Sequence, residues 1–450
     1  MTRRYWNEEI ETLPAADIAR LESERLRAQL PYMASSSDFF RAKFDRAGLK
    51  PEAVARREDL ARLPFTEKRE LAASQADGSL IGANLCASLE EIVRIQATGG
   101  TTGQPMRIAF TRQDVADYCE MGARALWAAG CRPGEIVFAC MNYNLYAGGL
   151  SDHLCFETLG AATLPYGVGQ SKRLLEMMAQ MRDELAIWAT PSYAVRLAEV
   201  AAQEGLTPGE IGLAKGYFSG EAGLQVPGYR ERIEQAWGLS AADVYGVGEL
   251  GLHCGECEFR TGFHYGATGF VLTELIDPES AEPIAFEEGA IEEGAIGEFV
   301  YTSLRRGAGP VLRLRSHDLM QVFTEPCRCG RTSFRFQVLG RSDDMFIVKG
   351  VNVFPLAVQA ALSALRPRLT GEFRILLDQP PPIDYAPRVQ VEVARVVPEA
   401  ALADLIAETR AALRKDCNFT AAIETVPQGT IATEKKTRRL YRTYQGEVPE

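Results

Sequence analysis

Apolar residues recur at helical spacing over residues 15–30, and Pro31 is expected to end that helix. Residues 35–49 continue in the same style. From Leu89 the texture changes. Short β-like runs (EIVRIQAT, EIVFACMN, ELAIWATPS, KGYFSGE) alternate with helical stretches at 113–129 and 172–182. That alternation predicts an α/β architecture with strands packed between helices. Beyond Gly340 the pattern starts afresh. FIVKGVNVF reads as a strand, LAVQAALSAL as a helix, GEFRILLD and RVQVEVARV as two strands around a proline-rich turn. An amphipathic helix at 400–417 and the strand AAIETVP follow. This β-α-β-β-α-β order predicts a small ferredoxin-like α+β domain. The expected organisation is a large N-terminal domain over 1–340, a hinge at 341–344 and a C-terminal domain over 345–450.

The chain has 450 residues, too many for one core. Its 46% hydrophobic and 24% charged residues fit an ordinary globular protein. A net charge of -11 without a sustained basic run argues against a nucleic-acid binder. No apolar stretch is long enough for a membrane span, and the first residues lack the apolar core of a signal peptide. The ten cysteines then read as reduced thiols, with a candidate metal cluster, in a cytoplasmic protein.

Two glycine-rich segments compete for attention. In Thr98-Gly-Gly-Thr-Thr-Gly-Gln-Pro105, glycines let the backbone approach an anion and threonines add hydroxyl donors. No Gly-Lys-Ser/Thr follows, so this is not a Walker loop. Gly246-Val-Gly-Glu-Leu-Gly251 matches the dinucleotide pattern. That pattern needs a helix opening inside it, and LHCGECEFRTGFH shows no helical period. A nicotinamide enzyme is therefore the weaker expectation. Cys254, Cys257, His264, Cys327 and Cys329 supply enough thiolate and imidazole ligands for a closed, structural Zn²⁺ site. The Cys254-x-x-Cys257 spacing leaves more than one ligand set open.

TGGTTGQP, YNLYAGGLSDHL followed by ATPSY, VYGVGELG and GRSDDMFIVKGVNVFP together resemble the phenylacetate–CoA ligase branch of the adenylate-forming enzymes. The resemblance runs from LPFTEK at Leu63 to the basic tail near Arg439. It implies ATP and Mg²⁺ in a cleft, an acyl-AMP intermediate, and transfer to CoA from an aromatic carboxylic acid. Thr98, Thr101 and Thr102 would hold phosphates. Tyr245 would stack on adenine beside Asp243, Gly246 and the Gly220–Glu221 turn. Glu249 would ligate Mg²⁺, and Asp318 would hold the ribose. Arg341 would approach the nucleotide, with Asp343 as the hinge pivot. Lys436 would be the adenylation lysine, with Lys435 where the family usually has glycine. Lys349 would border the path of the CoA thiol arm. Tyr143, Tyr146, Gly148, Gly149 and Phe218, joined by Tyr217, would line the acyl pocket, and Asn144 or His153 would read a ring substituent. For zinc the resemblance selects Cys257, His264, Cys327 and Cys329, whereas the Cys254-x-x-Cys257 spacing offers a set with His253 or Cys254 in place of His264. It also implies a homodimer. Gly248 stands where the family usually has Ser or Thr. That departure, with Lys435, keeps a non-catalytic nucleotide-binding relative open. Separately, a carrier-protein thiol or an amine stays open as the acceptor in place of CoA.

Overall fold

LAIWA becomes the strand Leu185–Ala189, and all five residues are buried. A parallel strand covered on both faces requires this. In the computed structural model, which describes residues 3–76, 81–98, 105–181, 184–221, 223–284, 292–431 and 438–449, it lies between Ile136–Ala139 and Leu213–Phe218. Ala162–Leu164 adds the edge on one side and Ser240–Val247 the next parallel strand on the other. There the sheet changes character. Gly251–Glu256, Phe263–Tyr265, Arg335–Arg341, Leu314–Phe323, Ile296–Ser303, Val271–Ile276 and Pro283–Ile284 follow in that order. The pairs resolved across this half are antiparallel. The fold is thus α/β with a mixed sheet.

Helix Arg112–Ala128 begins at a capping box. Thr111 Oγ1 accepts from the Asp114 N–H at 3.1 Å, and the Asp114 carboxylate accepts from the Thr111 N–H at 2.8 Å. Pro31 does not end its helix. Ala15–Ser36 is continuous, with Leu26, Leu30, Met33 and Ala34 buried. The apolar stripe carries on past the proline, and its packing outweighs the roughly 3 kcal/mol that a proline costs inside a helix. Among the described residues no helix is long and apolar enough to cross a membrane.

The chain divides into two compact units, Met1–Gly220 with Glu234–Gln337, and Glu221–Ile233 with Val338–Glu450. The second unit has a four-stranded sheet in the order Ala422–Pro427, Arg388–Val393, Leu369–Leu377, Leu440–Arg442. Helices Pro355–Ser363 and Leu402–Asp416 contribute Val358, Leu362, Leu405 and Leu413 to its core. FIVKGVNVF is not a strand of that sheet. It folds into its own hairpin, Phe346–Val348 with Val351–Val353. Lys349 and Gly350 at its tip have φ of 50° and 83°, which suits a tight hairpin turn. The sheet's edge is instead Leu440–Arg442, parallel to Leu369–Leu377.

Candidate active site

Strands Ser240–Val247 and Gly251–Glu256 form a tight antiparallel hairpin with residues 248–250 at its turn. The glycines are there for close approach. A β-carbon on Gly246 would fall 2.5 Å from the Gly251 carbonyl oxygen, and one on Gly251 would fall 1.9 Å from the Tyr118 ring. A strand, not a helix, follows the motif, so the dinucleotide expectation fails on topology.

This hairpin gathers several candidate residues. The Tyr245 hydroxyl donates to Asp318 Oδ2 at 2.6 Å. Burial, followed by the Asp318 charge, holds the phenol far above its ordinary pKa, so it stays a donor. The Tyr245 ring meets His253 and Phe336 edge-on, at centroid distances of 5.6 and 5.5 Å. Asp243 is buried, and its N–H donates to Glu256 Oε1 at 2.7 Å. Glu249 is 2% exposed, yet neither carboxylate oxygen accepts a hydrogen bond among the described residues. Its carbonyl accepts from Arg306 Nη1 at 2.8 Å, and Lys68 Nζ lies 3.2 Å from its Oε1. A buried carboxylate without donors is the kind of group that a cation satisfies, so Glu249 fits Mg²⁺.

Thr98 sits beside this turn, its side chain 2.8 Å from where a Gly248 β-carbon would be. It ends the strand Ile92–Ala97, which pairs with Arg107–Thr111. The Thr98 N–H donates to the Met106 carbonyl at 2.9 Å, which carries the pairing of these two strands one residue further; residues 99–104 of the candidate phosphate loop lie outside the described residues. Thr101 and Thr102 lie outside the described residues, as do Lys435 and Lys436. Gly220, with φ of 88°, follows the strand Leu213–Phe218. Glu221 belongs to the second unit, where Arg341 grips Asp343 at 2.8 and 2.9 Å.

The loop of the expected acyl pocket is tied to the end of the strand Ile92–Ala97. Ala97 bridges to Tyr146, and its N–H donates to the Leu145 carbonyl at 2.6 Å. Trp188 Nε1 donates to the Gly148 carbonyl at 3.0 Å, and a β-carbon on Gly149 would strike the Asn142 carbonyl at 2.5 Å. His153 is committed at both nitrogens, Nδ1 to the Tyr143 hydroxyl and Nε2 to Glu157, each at 2.9 Å. It positions Tyr143 and has no ring nitrogen left for a substituent. Phe218 is fully buried, with its ring folded over Gly216 toward Leu239. The Tyr217 hydroxyl donates to Glu135 at 2.6 Å.

Cys257, His264, Cys327 and Cys329 converge, with all four ligand atoms within 4.8 Å of one another. Cys257 and Cys327 sulfurs are 3.7 Å apart, and Cys329 Sγ is 3.3 Å from His264 Nε2. A tetrahedron with Zn–S bonds of about 2.3 Å has S···S edges of about 3.75 Å, whereas a disulfide is about 2.05 Å. The spacing and donor set therefore fit a tetrahedral ion. A hydrogen bond from Cys257 to Cys329 lowers the pKa of Cys329 and raises that of Cys257. Cys254 does not join them. It pairs across the ladder with Tyr265, while His264 pairs with Gly255, so Cys254 and His264 face opposite sides of the sheet.

Residues 350–443 match the AMP-binding enzyme C-terminal domain. The chain is 34% identical over 409 residues to phenylacetate-coenzyme A ligase of Thermus thermophilus, covering 89% of this chain and 88% of that one. It is 32% identical over 350 residues to the Escherichia coli K12 ligase of the same name, covering 77% and 76%. The chain belongs to the phenylacetate–CoA ligase branch of the adenylate-forming enzymes. A solved structure of 2-hydroxyisobutyryl-CoA ligase, in the postadenylation state with R3-HIB-AMP, superposes on the ligase with a TM-score of 0.88. Identity is 31%, over 99% of this chain and 94% of that one. The ligase is an AMP-forming acid–thiol ligase, using ATP and CoA. Lys68 and Arg306 of the ligase escaped the sequence reading, because their partner Glu249 is remote in sequence and no spacing marks the contact.

Proposed function

We propose that the ligase activates an aromatic or arylacetic acid with ATP and Mg²⁺ and then forms its CoA thioester. The acid's carboxylate attacks the α-phosphorus and pyrophosphate leaves. The CoA thiol then attacks the acyl carbon and AMP leaves. The observation that carries this reading is the buried Glu249 carboxylate, which has the Lys68 ammonium beside it but accepts no directed hydrogen bond among the described residues, in a turn against Thr98 on the hairpin that also holds Tyr245 against Asp318. Mg²⁺ held by Glu249 would neutralise phosphate charge. Thr98, with Thr101 and Thr102, would hold the phosphates, and Asp318, oriented by Tyr245, would hold the ribose. Lys436, carried on a C-terminal domain turning at Asp343, would stabilise the adenylation transition state. Cys257, His264, Cys327 and Cys329 would bind a structural Zn²⁺. The similarity to phenylacetate-coenzyme A ligases and the Tyr143–Tyr146 loop with its glycines support a flat ring substrate. A cytoplasmic homodimer rests on the sequence reading alone.

The test is pyrophosphate release with ATP and Mg²⁺ over a panel of aromatic acids and short branched hydroxy acids, with and without CoA. Release dependent on one aromatic acid, with AMP and thioester appearing on addition of CoA, is expected. Pyrophosphate without thioester would move the acceptor to a carrier protein or an amine. Dependence on a branched hydroxy acid would overturn the aromatic assignment. A Lys436→Ala variant is expected to lose pyrophosphate release about 100-fold or more. It should still form thioester from preformed acyl-AMP.

A further inference from the structure

Lys68 opens the helix Lys68–Ala73, and its ammonium is 3.2 Å from Oε1 of Glu249. The two partners differ in freedom. The Glu249 side chain is 2% exposed, whereas that of Lys68 is 37% exposed on a long flexible stem. The backbone leading to Lys68 is fixed. The Thr66 N–H donates to the Arg313 carbonyl at 2.8 Å, and its own carbonyl accepts from the Arg315 N–H at 3.0 Å. Thr66 Oγ1 donates to the Leu312 carbonyl at 2.5 Å, and Glu67 Oε2 lies 2.8 Å from His317 Nε2. The lysine is thus tethered to the strand that carries Asp318, with a partly exposed end resting on a buried carboxylate. The contact has ion-pair distance but not hydrogen-bond direction, and a buried carboxylate can give it up only to another cation.

We infer that Lys68 is the resident counter-ion of Glu249 in the nucleotide-free ligase, and that it must release the carboxylate before a divalent cation binds there. This rests on reading Glu249 as the metal carboxylate. An ammonium at Oε1 and a dication at the same carboxylate repel each other across a few ångströms of buried space. Without nucleotide, Lys68 competes with the metal. ATP phosphates offer the ammonium another anion, so nucleotide and metal bind with positive coupling. Lys68 is a positioning residue for the loading step.

Mn²⁺ binding to the full-length ligase, followed by electron paramagnetic resonance, tests this with and without a non-hydrolysable ATP analogue. Lys68→Met is expected to bind Mn²⁺ about tenfold more tightly without nucleotide, and the analogue should then add little. Lys68→Arg keeps the charge and should stay near wild type. Damage to the fold would weaken metal binding, so a gain in affinity is a readout that a merely structural role does not produce. Lys68→Gln serves if the Met variant is insoluble. Glu249→Gln separates the two layers of argument. If it leaves Mn²⁺ binding intact, the reading of Glu249 itself fails. If it abolishes binding while Lys68→Met and Lys68→Gln show unchanged or weaker affinity, the counter-ion inference is overturned.

Discussion

Gly248 and Thr98 explain each other across the active-site turn. A β-carbon on Gly248 would lie 2.8 Å from Thr98 Cγ2 and 3.2 Å from its Cβ. The threonine methyl fills the volume that a side chain at 248 would need. The same carbon that carries the methyl also carries a hydroxyl, so the site keeps a hydroxyl beside the turn. Gly248→Ser, which supplies the residue type usual in the family, is therefore expected to harm this ligase. Overpacking of this kind costs about 1–3 kcal/mol, which, where the strain falls on the transition state, is roughly five- to 150-fold in pyrophosphate release. Adding Thr98→Ser removes the methyl and should recover most of the loss. Melting temperature and the KM for ATP check both variants; strictly additive losses in the double variant would sink the steric pairing. The sequence marked Gly248 as a departure but could not supply its partner, because the contact is between a loop and a turn with no spacing rule between them. His153 shows the same limit. The Glu157 carboxylate can only accept, so Nε2 carries the proton and Nδ1 accepts from Tyr143. His153→Ala is expected to raise the KM for the acid several-fold with little change in kcat, measured by pyrophosphate release. A fall in kcat alone would contradict a positioning role.

At the scale of elements, periodicity was readable wherever packing obeyed it. The runs EIVRIQAT and ELAIWATPS became Ile92–Ala97 and Leu185–Ala189, because alternating or wholly buried apolar residues leave a strand few other choices. Pro31 misled, because local propensity lost to the stripe Leu26, Leu30, Met33. FIVKGVNVF misled differently. Its strand character is real, but Lys349-Gly350 splits it into two strands that pair with each other. The Cys254-x-x-Cys257 spacing suggested a ligand pair, and strand alternation sends Cys254 away from His264. The cluster itself ties loop 327–332 to the N-terminal segment. The Tyr5 hydroxyl donates to the Cys329 carbonyl at 3.0 Å, Arg331 Nε to Glu11 at 2.7 Å, and the Thr332 N–H to the Glu11 carbonyl at 3.1 Å. Removing one ligand should therefore loosen both segments together. Cys327→Ser is expected to lose bound zinc, to melt about 5–10 °C lower, and to become cleavable near residues 4–12 by limited proteolysis. Initial rates below the melting range should change little, as a structural metal implies. Unchanged zinc content by mass spectrometry would refute the ligand set.

At the scale of the whole molecule, two buried titratable groups pull stability in opposite directions with pH. Asp152 is buried on helix Leu150–Leu159, where burial pushes its carboxyl up to about 7 against the Tyr118 hydroxyl, which donates to it at 2.6 Å. Nearby Cys119 adds to the rise. An unfolded aspartate titrates near about 3.9. Between those values the native protein holds a proton that the unfolded chain has released, so stability falls as pH rises from about 4 to about 7. His253 does the reverse. Burial pushes it down to about 4, against its contact with the Gly251 carbonyl at 2.7 Å and the Asp318 charge. An unfolded histidine titrates near about 6.5. Its contribution is complete above that value and is lost as pH falls toward about 4. The windows overlap, so in the wild type the two slopes offset each other over much of the acid range. Substituting either group exposes the other. Asp152→Asn can still accept from Tyr118; it should gain stability more steeply than wild type between pH 4.5 and 6.5 and exceed it at pH 8. His253→Phe should lose stability as pH rises across the same range, relative to wild type. Differences of about 1–3 kcal/mol are expected from denaturant unfolding of the three proteins at matched pH. Carboxylates common to all three cancel in the comparison. Opposite signs are required, and two variants with parallel pH slopes would refute the assignment of either group.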